Sequence, residues 1–204
     1  MSLVLGIRKN AIIAVAVALW IPAVGYGINA LWKYSITAGH PAEPPSEWPR
    51  FAPIERAAGR STLVMFAHPQ CPCTRASLGE LAIIMAHARD RVNAFVFFYR
   101  PSAEPGEWTQ TDLWQTATAI PGVRALEDRD GAVAGSFGVF TSGQTLLYGP
   151  DGRLRFQGGI TAFRGHSGDN AGRSAITALL QDDAMVAKVG PVTAPVFGCS
   201  LRGE

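Results

Sequence analysis

Two cysteines, Cys71 and Cys73, stand on either side of Pro72 and are the residues of this sequence best suited to chemistry. An apolar run over residues 62–67 precedes them and predicts a buried strand. The apolar side chains that follow recur every three or four residues, which predicts a helix: Leu78, Leu81, Ile84 and Met85. The pair therefore lies where a strand passes into a helix.

Pro72 stands at the expected first helical position, where its missing N–H leaves no hydrogen bond unmade. Cys71 then caps the helix and Cys73 lies in its first turn, near unpaired N–H groups and the positive end of the helix dipole. Such surroundings lower the pKa of a thiol, and the thiolate is the nucleophile. We therefore predict a redox-active pair; the alternative is two buried structural thiols.

A disulfide between Cys71 and Cys73 would close a ring of only three residues. In the chain-entropy model such a ring stabilises a protein by ~1.6 kcal/mol, against ~3 kcal/mol for a 15-residue loop. Ring strain would also favour reduction. We predict an easily reduced bond, with a reduction potential above about −270 mV.

Two histidines could assist these thiols, although either could equally be structural. His68 lies three residues before Cys71 and could stabilise its thiolate or accept its proton. His166 follows a predicted hairpin and could approach the cysteine helix. Thiolates with imidazole suit Cu(I) or Zn(II), so the alternative to a cofactor-free site is a copper site of Cys71, Cys73 and His166.

Two further residues have open roles. Cys199 is either a spare thiol or a resolving cysteine on a C-terminal tail over residues 191–204, after Pro191 and Pro195. Arg75 follows the cysteine pair and could hold an anion or lower a thiol pKa, or it could simply be solvated.

The N-terminal region predicts a membrane anchor. Residues 10–32 are 23 positions without a charge, and as a helix they would span ~35 Å, enough for a hydrocarbon core of ~30 Å. This apolar run exceeds the ~7–15 residues of a cleaved signal peptide. Arg8 and Lys9 outweigh Lys33, which predicts a cytoplasmic N-terminus and an exported, in bacteria periplasmic, domain. Disulfides persist on that side of the membrane.

The division expected for the chain is an anchor over residues 1–34, a Pro-rich linker over 35–53, a domain over 54–190 and the tail. The 18 Lys and Arg against 16 Asp and Glu give a net charge of +2, too weak a field to indicate nucleic-acid binding. The predicted strands cover 62–67, 91–99, 123–126, 145–148 and 153–156, and the helices 74 to about 89, 111–119, 132–137 and 170 onward. This order predicts an α/β sheet flanked by helices.

The strand, the proline-split cysteine pair and the long helix resemble the active-site corner of the thioredoxin superfamily. With the segments HPQCPCTRASLGEL, GGITAFRGHSGDNAG and FGC, the chain resembles the RedB group of membrane-tethered thioredoxin-like proteins over roughly residues 48–200. The spacing here is C-x-C rather than the usual C-x-x-C. The copper alternative is similar to Sco-type proteins, which use C-x-x-x-C, and the Thr or Ser that peroxiredoxins place before their cysteine is absent.

The resemblance also implies a cis-proline loop before the strand at residue 145, where this chain has no proline. Gly143 could permit the turn without a cis bond, leaving Gln144 to present its amide to the site. The leading hypothesis is a membrane-anchored thiol–disulfide oxidoreductase acting on protein thiols and disulfides, in which Cys71 forms the mixed disulfide and Cys73 resolves it. A copper-handling protein and a binding module with unimportant cysteines remain the alternatives.

Overall fold

The structure is a computed structural model that describes residues 2–50, 52–57, 59–88, 90–181 and 190–202, with only the backbone of residues 2–9. The chain forms two compact units, Met1–Thr37 and Ala38–Glu204. The first contains helix α1 (Ser2–Ile36), whose segment Asn10–Ile36 is long and strongly apolar. By length and composition this helix can cross a membrane, and it is the one such helix in the described part of the chain.

The second unit is a mixed sheet with helices packed on it. Its elements in chain order are β1 (Ser61–Ala67), α2 (Pro72–Ala88), β2 (Val92–Arg100), a 3-10 helix (Gly106–Thr109), α3 (Asp112–Ala119), β3 (Val123–Arg129), α4 (Ala132–Ser136), β4 (Thr145–Tyr148), β5 (Leu154–Gly158), α5 (Ala171–Gln181) and β6 (Val192–Thr193). The strand order is β3-β2-β1-β4-β5-β6. Strands β1, β2 and β3 are parallel, β4 is antiparallel to β1 and to β5, and β6 is parallel to β5.

The core lies on both faces of β1, because successive side chains of a strand point to opposite sides of its sheet. Leu63 and Met65 belong to the cluster that includes residues of α2, α3 and α5. Phe66 points to the other face, where it packs on Phe97 and Phe137. Every side chain of β1 is buried, which confirms the prediction of a buried strand over residues 62–67.

The segment predicted as a Pro-rich spacer contacts the domain instead. Glu43 N–H donates to Gly138 O at 3.0 Å, and Trp48 N–H donates to Gly152 O at 2.8 Å. The Trp48 ring lies edge-on to Phe137 and Tyr148 at centroid distances of 5.3 and 5.1 Å. An extended segment can bury an aromatic side chain without any periodicity, so composition alone did not reveal this contact.

The predicted elements are present, with differences at their ends. β3 continues to Arg129 rather than ending at residue 126, because it pairs with β2 as far as Arg100. The turn follows at Asp130, which has a φ of 53°. The short strand β6 was not predicted, since two residues carry no pattern, and the predicted end of α2 near residue 89 lies outside the described residues.

Candidate functional site

The cysteine pair lies in the short connection between β1, at the centre of the sheet, and α2. Helix α2 begins at Pro72, as predicted, so Cys71 immediately precedes it and Cys73 is its second residue. Cys71 N–H donates to His68 O at 3.1 Å, and Thr74 N–H donates to Cys71 O at 3.0 Å. This backbone arrangement holds Cys71 at the N-terminal end of the helix, where a thiolate is stabilised.

Three thiols, not two, meet at this position. The Sγ of Cys199 lies 2.9 Å from the Sγ of Cys71, and all three cysteines are free. Cys71 is 2% exposed and Cys73 7% exposed, whereas Cys199 is half-buried. The sequence left Cys199 as either a spare thiol or a redox partner, and its position beside Cys71 favours the second interpretation.

The three thiols have different pKa shifts. Burial raises the pKa of Cys71, but hydrogen bonds from Cys199 and from the backbone of Cys73 and Thr74 outweigh it, and the net pKa is lowered. Burial and the neighbouring Cys71 raise the pKa of Cys73. Burial, followed by the hydrogen bond and the charge of Cys71, raises the pKa of Cys199 to about 12. Cys71 is therefore the thiol of the group that ionises most readily, and its Sγ lies within hydrogen-bond distance of the Cys199 Sγ.

A guanidinium adjoins the thiols, but it belongs to Arg164 and not to Arg75. Arg164 donates to Gly198 O at 2.6 Å, and its charge lowers the pKa of both Cys73 and Cys199. Arg75 is exposed and forms an ion pair with Asp112. Sequence reasoning missed Arg164, whose only signal was its place in the Gly-rich segment next to His166.

Ser142 joins the cysteine loop to the rest of the site. Its hydroxyl accepts a hydrogen bond from His68 N–H at 2.9 Å and lies 2.9 Å from the Thr74 hydroxyl. Its own N–H donates to Cys199 O at 2.8 Å. Gly143 follows with a φ of +88° and donates to Phe66 O at 2.7 Å, so glycine makes this turn, and the described residues contain no cis peptide bond.

The C-terminal segment, residues 194–202, covers the thiols by pairing with this loop. Thr141 and Ser200 form an antiparallel bridge, and Leu201 N–H donates to Phe140 O at 2.9 Å. A Cβ added at Gly198 would lie 1.8 Å from Ser142 O, so only glycine permits the approach. The segment thus holds Cys199 against Cys71 through backbone contacts.

His68, the first of the two candidate histidines, lies beside the cysteine loop. His68 is half-buried between the rings of Tyr99 and Trp108, and its Nδ1 accepts a hydrogen bond from Gln70 N–H at 3.2 Å. Burial lowers its pKa. Its backbone carbonyl accepts the Cys71 N–H, while no described contact joins its ring to the Cys71 sulfur, so its catalytic role stays a prediction.

The predicted copper ligand set does not form in the described structure. His166 is exposed, with its ring against Phe163 and its Nδ1 3.3 Å from Arg164 O. Among the described residues, no group of three His, Cys, Asp or Glu side chains is arranged to hold a metal. The tight Gly165 turn, with a φ of +69°, is the local reason that His166 faces Phe163.

Gln144 is buried and lines a cavity of about 290 Å³ together with residues 38–39, 41–42, 157–158 and 193–196. Its backbone carbonyl oxygen accepts a hydrogen bond from Phe66 N–H at 2.9 Å. No contact given by the described residues joins its amide to a cysteine. The predicted role of Gln144 at the thiols therefore stays a prediction.

Comparison with known proteins gives the fold. No family model and no curated protein matches the sequence. An uncharacterized conserved protein from Geobacillus kaustophilus superposes with a TM-score of 0.56 at 16% identity, over 83% of this chain and 93% of that one. The hypothetical protein SMc02350 from Sinorhizobium meliloti 1021 gives 0.55 at 22% identity, over 82% and 94%.

Thioredoxin-like proteins are among the structural neighbours. A secreted Mycobacterium tuberculosis disulfide oxidoreductase homologous to E. coli DsbE superposes with a TM-score of 0.43 at 17% identity, over 61% of this chain and 82% of that one. The mixed sheet flanked by helices confirms the predicted α/β class. Function has to be argued from the thiols themselves.

Proposed function

We propose that this chain is a membrane-anchored, exported thiol–disulfide oxidoreductase of the RedB-like type. The observation that carries the proposal is Cys71, a thiol of lowered pKa at the start of α2 with two further thiols beside it. A thiolate with an adjacent thiol is the arrangement that thiol–disulfide exchange requires.

Catalysis begins when the Cys71 thiolate attacks a disulfide of a protein substrate. A bond forms between Cys71 and one substrate sulfur, and the other substrate sulfur leaves as a thiolate. Cys73 then attacks the Cys71 sulfur, which releases the second substrate thiol and forms the Cys71–Cys73 disulfide. The substrate gains two electrons and the protein loses two, and the reverse sequence oxidises a dithiol. The reaction uses no cofactor.

Turnover of a protein disulfide tests this activity. The full chain in lipid vesicles, kept reduced by glutathione, should reduce insulin disulfides, and Cys71→Ser should lower the rate at least a hundredfold. Glu107→Gln, an exposed position on the 3-10 helix, is the control and should retain the wild-type rate. An undiminished rate in Cys71→Ser would leave the alternative of a binding module whose cysteines are unimportant.

The anchor and its orientation are tested separately. Helix α1 supports membrane insertion by its length and apolar composition, and the Arg8–Lys9 bias supports a cytoplasmic N-terminus. In a bacterial host, protease added to spheroplasts should digest the domain while an N-terminal tag stays protected. A domain that resists protease until the cells are lysed would contradict export.

A further inference from the structure

We infer that Cys199 is a third redox thiol, and that the oxidised protein holds its disulfide between Cys71 and Cys199 rather than between Cys71 and Cys73. This inference rests on the proposed function and identifies the disulfide that the protein holds after it has reduced its substrate. The Sγ atoms of Cys71 and Cys199 are 2.9 Å apart without a covalent bond between them, so little movement is needed to form a disulfide.

The position of Cys199 is fixed by contacts on both sides of it. Ser142 N–H holds its carbonyl, and Arg164 holds the carbonyl of Gly198 at 2.6 Å. Leu201 N–H bonds to Phe140 O at 2.9 Å on the other side. A thiol on a freely moving tail would meet Cys71 only by chance, whereas these contacts keep it in position and raise its effective concentration.

The exchange conserves electrons. Once the substrate has left a Cys71–Cys73 disulfide, the Cys199 thiolate attacks the Cys71 sulfur. The Cys71–Cys199 bond forms, the Cys71–Cys73 bond breaks, and Cys73 leaves as a thiolate that takes up the proton lost by Cys199. One disulfide replaces another, so no oxidant or reductant is consumed.

The charges around the thiols suit this step. A negative charge on Cys71 contributes to the raised pKa of Cys199, after burial, and this contribution disappears when Cys71 is bonded to Cys73. The Arg164 guanidinium lowers the pKa of both Cys199 and Cys73, so it favours the attacking and the leaving thiolates alike. A three-residue ring strains its disulfide, whereas Cys199 is already held 2.9 Å from Cys71, so we expect the equilibrium to favour the Cys71–Cys199 bond.

Mapping the disulfide tests the inference directly. The reduced full chain in lipid vesicles receives one equivalent of glutathione disulfide, is quenched with acid, alkylated and digested with trypsin. Cys71 and Cys73 fall in one tryptic peptide and Cys199 in another. We expect the two peptides to be linked, with Cys73 alkylated. A single peptide with an internal disulfide and an alkylated Cys199 would overturn the inference, as would a Cys73–Cys199 link.

Two variants separate this result from the proposed activity. Cys73→Ala should still form the linked peptides, whereas Cys199→Ala should end as the Cys71–Cys73 disulfide and be reduced by glutathione at least tenfold faster than the wild type. Equal reduction rates would overturn the inference. Insulin turnover is scored independently: failure of turnover with the link intact would refute the proposed function, and turnover without the link would refute only the role of Cys199.

Discussion

The backbone N–H of Ser142 donates to the carbonyl oxygen of Cys199 across 2.8 Å, and this bond fastens the C-terminal segment over the reactive sulfur. Ser142 also contacts His68 N–H and the Thr74 hydroxyl, so one buried residue fixes both sides of the site. Access to Cys71 therefore depends on how firmly the segment is held.

Gly198→Ala should expose Cys71. The added Cβ would lie 1.8 Å from Ser142 O, so the segment must shift away from the loop. If docking weakens by about 1.4 kcal/mol, alkylation of Cys71 by iodoacetamide should accelerate roughly tenfold. Gly106→Ala, where the new Cβ meets its nearest atom at 3.7 Å, is the control and should react like the wild type. Unchanged alkylation in Gly198→Ala would mean that the segment does not limit access.

The pH dependence of alkylation should report the pKa of Cys71. Because the pKa of Cys71 is lowered, its thiolate forms at a pH below the ordinary thiol pKa, and alkylation is already fast there. The alkylation rate should fall as the pH is lowered through the pKa of Cys71. Cys199→Ala removes the side-chain hydrogen-bond partner that lowers this pKa, so the midpoint of the profile should move to higher pH. A midpoint that stays in place in Cys199→Ala would show that the helix terminus alone sets this pKa.

The buried ion pair between Glu80 and Arg173 should matter for stability. Glu80 is 1% exposed, lies 2.5 Å from Arg173, and also accepts Gly168 N–H at 2.6 Å. Arg173→Met leaves the carboxylate buried without its cation and should lower the free energy of unfolding by about 3 kcal/mol. Urea unfolding followed by circular dichroism would measure it.

Arg75→Met is the matched control for this experiment, since it breaks the exposed pair with Asp112. It should leave the free energy of unfolding nearly unchanged. Equal losses in the two variants would show that burial of Glu80 does not determine the effect.

Trp48→Ala should destabilise the domain, because the half-buried indole packs against Phe137 and Tyr148. We expect a loss of about 2 kcal/mol, less than for a fully buried tryptophan. Glu47→Ala, at the exposed neighbouring position, keeps the backbone bridge to Arg153 and is the control. A neutral Trp48→Ala would restore the interpretation of this segment as a spacer.

The central strand and the cysteine helix were predictable because their signals are local. Apolar runs and helical spacing identified β1 and α2, and Pro72 located the helix start to the residue. Gly143 was correctly expected to make its turn without a cis bond. These features depend on residues that are close together in sequence.

Arg164 and Ser142 could not be found in that way. Each reaches the thiols through the folding of distant segments, and neither has a spacing relative to Cys71 that chemistry would require. The same holds for Trp48, whose burial depends on residues about 90 to 100 positions later. Cys199 was recognised as a candidate by its type, but only the pairing of the C-terminal segment with the loop at Thr141 shows what it contacts.

The separation of 128 positions between Cys71 and Cys199 has a consequence for maturation of the protein. Cys71 and Cys73 can bond in any nascent chain, folded or not, because they are near neighbours. A bond to Cys199 requires the finished sheet and its far edge to be assembled first. The Cys71–Cys199 disulfide would therefore form only in correctly folded molecules. Molecules that have not yet folded would carry only the Cys71–Cys73 disulfide, which is easily reduced.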